Sequence, residues 1–182
     1  MGNWQDDDYS QQPKLLKCNQ PFLIFSMQLD TPGHVITSLN QGRLVLYDYD
    51  LGYIHRWVAT SSFDGRQNLG DWERTGGIHP PNYQMPGAMW FDLNMNLIKQ
   101  PGQPVDEGYI VYYKKSNNFK TLKGNNRSQI MVHADKNWTT NPGSYGCIVF
   151  KPNEWEDFKR VMNACCGHLD SVRYGIMYTF QP

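Results

Sequence analysis

Short apolar runs recur along the chain with the two-residue period of half-buried strands, and one segment alone carries a convincing helical period. Pro21 to Gln28, with Phe-Leu-Ile-Phe-Ser-Met at its centre, reads as a first buried strand. Gly42-Arg-Leu-Val-Leu-Tyr-Asp and Gly52-Tyr-Ile-His-Arg-Trp-Val-Ala form two more, separated by the turn residues Asp48-Tyr-Asp-Leu-Gly. On that hairpin His55 alternates with Ile54, so the pleat is expected to direct His55 towards solvent. Gly87 to Ile98 and Gly108 to Tyr113 resume strand character, with Pro101-Gly-Gln-Pro as the turn between them. Ile130 to His133 reads as the end of a further strand, Ile148 to Phe150 as another, and Val172 to Phe180 as the last.

The helical segment is Asn153 to Gly167. Pro152 precedes it, Asn153 is the expected N-cap, Glu156 stands where a capping box needs it, and Gly167 suits a left-handed stop. Trp155, Phe158, Met162 and Cys165 fall on one face with Val161 beside them, so the helix is expected to pack on the sheet. That face makes Cys165 a core residue and puts Cys166 nearer the edge. The pattern predicts a mainly β domain with one principal helix near the C-terminus.

Length adds that 182 residues suffice for one domain with a sizeable core. Residues 1–20 are polar and read as an arm, leaving 21–182 as a single domain. Lys plus Arg and Asp plus Glu number 17 each, so no net field attracts nucleic acid or an anionic membrane. Lys114, Lys115, Lys120 and Lys123 read as solvated hairpin charges. No run is long enough to span a bilayer. Met-Gly-Asn-Trp-Gln-Asp-Asp-Asp lacks the basic region and apolar segment of a secretory signal, which implies synthesis in the cytoplasm without a signal peptide. Asp6 stands where a myristoylation motif requires Ser or Thr.

Cys18, Cys147, Cys165 and Cys166 are not spaced as a disulfide framework, and a reduced compartment is the simplest inference. Neither they nor His34, His55, His79, His133 and His168 show metal-ligand spacing, so no metal and no cofactor are expected.

Candidate chemistry concentrates between Ile130 and Phe150. Cys147 sits where a tight turn enters a strand, and Gly143 and Gly146 allow close approach to the main chain there. A thiol nucleophile needs a base and donors for the oxyanion formed on attack. His133 is the candidate base, and the backbone N–H groups of Tyr145, Gly146 and Cys147 are the candidate donors. The alternative is a buried structural Cys beside a structural His. Ser61 to Pro86 reads as a long loop, in which Trp72, His79 and Tyr83 either line a substrate groove or pack the loop onto the core.

Ser144-Tyr145-Gly146-Cys147-Ile148-Val149, preceded by His133, resembles the signature of the L,D-transpeptidase (YkuD-like) catalytic domain. Trp57-Val58-Ala59-Thr60-Ser61 and Gly76-Gly77-Ile78-His79-Pro80-Pro81-Asn82-Tyr83 look like segments of the branch that includes secreted antibacterial effectors. The resemblance implies a β-sandwich or barrel, Cys147 as nucleophile, His133 as base and peptidoglycan stem peptides as substrate. Ser144, Tyr83, His79 and Trp72 become candidate substrate contacts. A site of action in the periplasm or cell wall then requires delivery by a phage particle, by lysis or by a secretion system, and a larger assembly is one such partner.

Two positions depart from the family pattern. Tyr145 stands where many members have His, and Val149 where many have Arg or Asn, which bears on how a substrate carboxylate is held. That second departure supports a rival reading, an inactive binding or structural module such as a phage-particle component. If His133 is the base, the strand ending at it must lie beside the strand that begins after Cys147. One ring nitrogen should then face the sulfur and the other should meet a main-chain oxygen.

Overall fold

The structure, a computed structural model, describes residues 16–29, 42–60, 89–99, 107–112, 118–120, 126–128, 130–135 and 147–180. Its strands are β1 (Pro21–Leu29), β2 (Arg43–Asp48), β3 (Gly52–Thr60), β4 (Met89–Asn94), β5 (Ile98–Lys99), β6 (Glu107–Tyr112), β7 (Asn118–Lys120), β8 (Asn126–Ser128), β9 (Met131–Ala134), β10 (Ile148–Phe150) and β11 (Ser171–Phe180). Among the described residues one helix, α1 (Pro152–Cys166), stands near the C-terminus. Among the described residues no helix is long and apolar enough to cross a membrane.

Nine strands form one sheet in the order β4-β11-β1-β2-β3-β10-β9-β6-β5. A further pairing of Asp92 with Tyr112 and Leu93 with Val111 joins β4 to β6, so the sheet closes on itself and β5 hangs from β6. Two neighbouring pairs run parallel, β1 with β11 and β9 with β10. The short β7 and β8 make a separate hairpin that includes Lys120; the other three lysines of the expected charged hairpin lie outside the described residues.

Alternation along the strands sends Leu23, Phe25, Leu44, Leu46, Trp57, Ala59, Phe91, Leu93, Val172 and Tyr174 into one core. The helix adds Trp155, Phe158, Val161, Met162, Cys165 and Cys166 to the same cluster. Phe158 is its hub: its ring centroid lies 4.8 Å from Trp57, 4.9 Å from Phe150, 5.7 Å from Trp155 and 5.9 Å from Tyr109. Cys166 is fully buried with Cys165, not near an edge as the helical face implied, because the chain before β1 covers that side of the last turn through a bond from Cys18 N–H to Cys165 O.

Several local expectations are corrected. The helix begins at Pro152, with Lys151 as N-cap and no side-chain cap, so Asn153 is already helical and no capping box forms. The fixed φ of proline suits the first helical position and sets the start one residue early. Gly167 is right-handed, with φ −63° and ψ −10°, rather than left-handed. A Cβ there would fall 2.4 Å from Asn163 O, so the glycine serves close approach. The run from Gly87 to Ile98 is broken after Asn94, whose Oδ1 accepts the Asn96 N–H at 2.7 Å and turns the chain.

The Asp48–Gly52 turn forms as read. Gly52 takes φ +79°, and Asp48 Oδ1 accepts N–H groups from Asp50 and Leu51. Burial would raise the Asp48 pKa, but bonds from the Gln20, Asp50, Leu51 and Asn19 backbone outweigh it and hold it below its ordinary value.

His55 is half-buried rather than turned wholly to solvent. The register of β2 and β3 shifts between Leu46 and Tyr47, so Tyr47 faces Tyr53, Leu46 faces His55, and Ile54 is the extra residue of a bulge. His55 is in phase with buried Trp57 and Ala59 and opposite buried Leu46, and the bulge puts Ile54 and Tyr53 out of that phase; the His55 Nε2 lies 2.9 Å from Asp157 Oδ2 on the helix. Trp57 Nε1 donates to the same oxygen at 2.9 Å.

Phe158→Ala should cost about 3–5 kcal/mol of stability, the range for removing a large aromatic from a packed core. Denaturant unfolding followed by tryptophan fluorescence measures it.

Candidate active site

β9 lies between β6 and β10, and its register decides what surrounds His133. The antiparallel partner of His133 on β6 is Gly108; its parallel partner on β10 is Val149. Val132, Ile148 and Phe150 belong to the core shared with α1. By the pleat, Met131, His133 and Val149 occupy the opposite face, which is also buried. Carrying the register back one pleat sets Cys147 beside Met131. Strand rise and spacing then make His133 and Cys147 diagonal neighbours, with Cα atoms about 8 Å apart.

Two hydrogen bonds fix the groups further. The Met131 N–H donates to Cys147 Sγ at 3.4 Å, tying the sulfur to the start of β9. His133 Nδ1 lies 2.6 Å from Ala134 O. A carbonyl oxygen only accepts, so Nδ1 carries the proton and Nε2 of the neutral ring is left as the basic nitrogen. Gly108 gives the ring its place. A Cβ at 108 would approach Met131 Cε to 2.6 Å, Val132 O to 3.0 Å and His133 Cβ to 3.1 Å.

The electrostatics favour uncharged forms. Burial lowers the His133 pKa below its ordinary value, partly offset by the Ala134 carbonyl and the charge of Asp135. Loss of solvent pushes the Cys147 thiol up to about 11, with the Met131 N–H pulling the other way. Burial thus favours the uncharged form of each group, a thiol at Cys147 and a neutral imidazole at His133. Such a thiol reacts by giving up its proton as it attacks, which is general-base chemistry.

Of the residues singled out in the sequence, Cys147 and His133 are brought onto adjacent strands. Gly146, Tyr145, Ser144, Tyr83, His79 and Trp72 lie outside the described residues, as does the whole of the segment from Ser61 to Pro86. Gly108 and the Met131 N–H were not foreseen as parts of the site, whereas a main-chain oxygen on the His133 ring was expected and is that of Ala134. The first is invisible without the β6–β9 register, and backbone groups leave no mark in a sequence. Asp135 is buried, and its N–H donates to Phe150 O at 2.8 Å, which fastens β9 to β10 just past His133. Among the described residues no group of three His, Cys, Asp or Glu side chains is arranged to hold a metal ion.

Comparison with protein-family models finds none that matches this chain, and comparison with curated proteins finds no significant match.

Gly108→Ala should destabilise by about 1–3 kcal/mol through overpacking against β9, measured by chemical denaturation. A second expectation concerns pH. The native state binds the His133 proton less readily than the unfolded chain, so its contribution is intact above the ordinary value of 6.5 and is lost as pH falls through the lowered one. Melting curves of the wild type from pH 8 to 5 should decline more steeply below 6.5 than those of His133→Asn.

Proposed function

We propose that this chain is a peptidoglycan-modifying cysteine enzyme of the L,D-transpeptidase type, acting on stem peptides through a thioester on Cys147. The observation that carries this reading is the parallel register of β9 and β10, Val149 against His133, which sets the nucleophile candidate one pleat from the base candidate. The fixed tautomer of His133 adds to it. The ring of strands with a helix packed on its core by one face is compatible with the sandwich or barrel of that family.

In the proposed reaction His133 Nε2 takes the thiol proton as Cys147 Sγ attacks the carbonyl of an L-centre. Backbone N–H groups of Tyr145, Gly146 and Cys147 hold the oxyanion. Collapse of the tetrahedral species breaks the peptide bond, the departing D-residue amine takes the proton from His133, and a thioester remains. An amine from a second stem completes transpeptidation; water completes carboxypeptidase or endopeptidase cleavage. Ser144, Tyr83, His79 and Trp72 are the proposed substrate contacts. The reaction places the site of action in the periplasm or cell wall, reached by a phage particle, lysis or a secretion system.

A second reading, a binding or structural module without activity, is favoured by one specific observation. Val149, in the place where many family members carry Arg or Asn, is fully buried opposite His133 and offers no group to a carboxylate.

Incubation with a carbapenem followed by intact-mass measurement separates the two. The enzyme reading expects one covalent adduct that maps to Cys147 and is absent from Cys147→Ala. Folded protein without an adduct would support the inactive module. Turnover of stem peptides should fall to background in Cys147→Ala and by about 100-fold or more in His133→Asn, on the scale of a lost general base. Iodoacetamide labelling of Cys147 should quicken with pH towards a midpoint near about 11. A labelling plateau below pH 7 would instead reveal a preformed ion pair.

A further inference from the structure

The three cysteines that the proposed chemistry leaves unused come together at one place in the fold. Leu16 and Lys17 are exposed, but Cys18 turns fully inward and joins Cys165 and Cys166, both fully buried, at the C-terminal turn of α1. Cys18 N–H donates to Cys165 O at 2.9 Å, and the Cys18 thiol lies beside the thiols of both helix cysteines. The helix end itself is fixed by Gly167 N–H to Asn163 O at 3.1 Å and Leu169 N–H to Cys166 O at 2.9 Å.

We propose that Cys18 is a thiol–disulfide exchange site that cross-links to Cys165 when the chain folds in the presence of a small disulfide oxidant such as oxidised glutathione. The backbone bond between the two residues caps their Cα separation at about 6.8 Å, within the span a disulfide bridges. Cys165 and Cys166 are adjacent and cannot bridge each other without strain, so Cys18 is the member that must take part. A metal does not explain the cluster, since no described group of three such side chains is arranged around an ion.

The exchange balances in two steps. The Cys18 thiolate attacks the oxidant and expels one small thiolate, leaving a mixed disulfide. The Cys165 thiolate then attacks Cys18 Sγ, forms the protein disulfide and expels the second small thiolate; the two protons released end on the expelled groups. Two protein thiols are oxidised and one small disulfide is reduced. All three sulfurs are shielded in the folded protein, and burial pushes the Cys18 thiol up to about 12, so the bridge closes while residue 18 is docking. The loop it closes runs from residue 18 to residue 165 and constrains most of the unfolded chain. The cross-link distinguishes protein folded in an oxidising compartment from protein folded in a reducing one, and it stands whether or not Cys147 is a nucleophile.

The full chain is unfolded, reduced and refolded in parallel with glutathione redox buffer or with reductant alone. Oxidative refolding should lower the free thiols titrated in denaturant from four to two and raise the melting temperature by about 10 °C. A non-reducing peptide map should join the Cys18 peptide to the one that holds Cys165. Cys166→Ser should keep the bridge, whereas Cys18→Ser should show three free thiols and no rise. Folded reduced protein given the same oxidant should oxidise at least about 100-fold more slowly, as buried thiols do. Four free thiols in the natively refolded product, a bridge that includes Cys147, or a bridge found in misfolded protein alone would overturn the proposal and leave the cluster as packing.

Discussion

The seating of α1 in the ring of strands, through Phe158 and Trp155, is the contact on which the rest of the structure depends. β10 is three residues long, and after Lys151 alone the helix begins, so wherever the helix settles the end of β10 follows. Phe150 packs against both helix aromatics, at 4.9 Å from Phe158 and 6.0 Å from Trp155. A strand this short has few ladder bonds with which to specify its own register, and the aromatic contact supplies what the ladder lacks. The register against β9 then sets Cys147 relative to His133. Packing on one face of the strand thereby positions polar groups on the other.

The helix edge is held by charge as well as by packing. Asp157 gathers His55, Trp57 and Arg160; Glu107 on β6 gathers Trp155 and Lys159. The Lys159 bond leads in holding the Glu107 carboxyl below its ordinary pKa. For Asp157 burial opposes ionisation, and the bonds from Arg160 and Trp57 outweigh it. Both carboxylates bond an indole N–H from the core rim, so each also satisfies a polar atom that packing alone would strand. They orient the helix over β3 and β6 on opposite sides of the aromatic hub.

The strands were largely legible because burial on one face imprints a two-residue period, and the helix because Trp155, Phe158 and Met162 repeat at its pitch. Details set by tertiary geometry were not legible. His55 shares a face with Trp57 and Ala59, but the bulge at Ile54 breaks the period before it, and no composition signal marks that bulge. Gly167 looks like a left-handed stop but is small because Asn163 O is near, and the two causes leave the same letter in a sequence. At the site, the neighbourhood of Cys147 and His133 follows from strands that could be read, whereas Gly108 matters through its pairing with His133, 25 positions further along the chain. The thiol cluster escaped because Cys18 lies far along the chain from Cys165, and proximity of that kind exists only after folding.

The parallel pairing of β1 with β11 bears on how the protein is born. β11 follows every other strand in the chain, yet it lies between β4 and β1 and is the link between them. While a ribosome is still reading the helix, β1 and β2 can pair but the ring stands open along one side, with the inner faces of Leu23, Phe25, Phe91 and Leu93 uncovered. Closure waits for residues 171–180 to leave the exit tunnel. Until those residues emerge, a nascent chain carries an unsealed hydrophobic seam, a substrate for chaperones that bind such surfaces and an opening for any machinery that handles unfolded polypeptides.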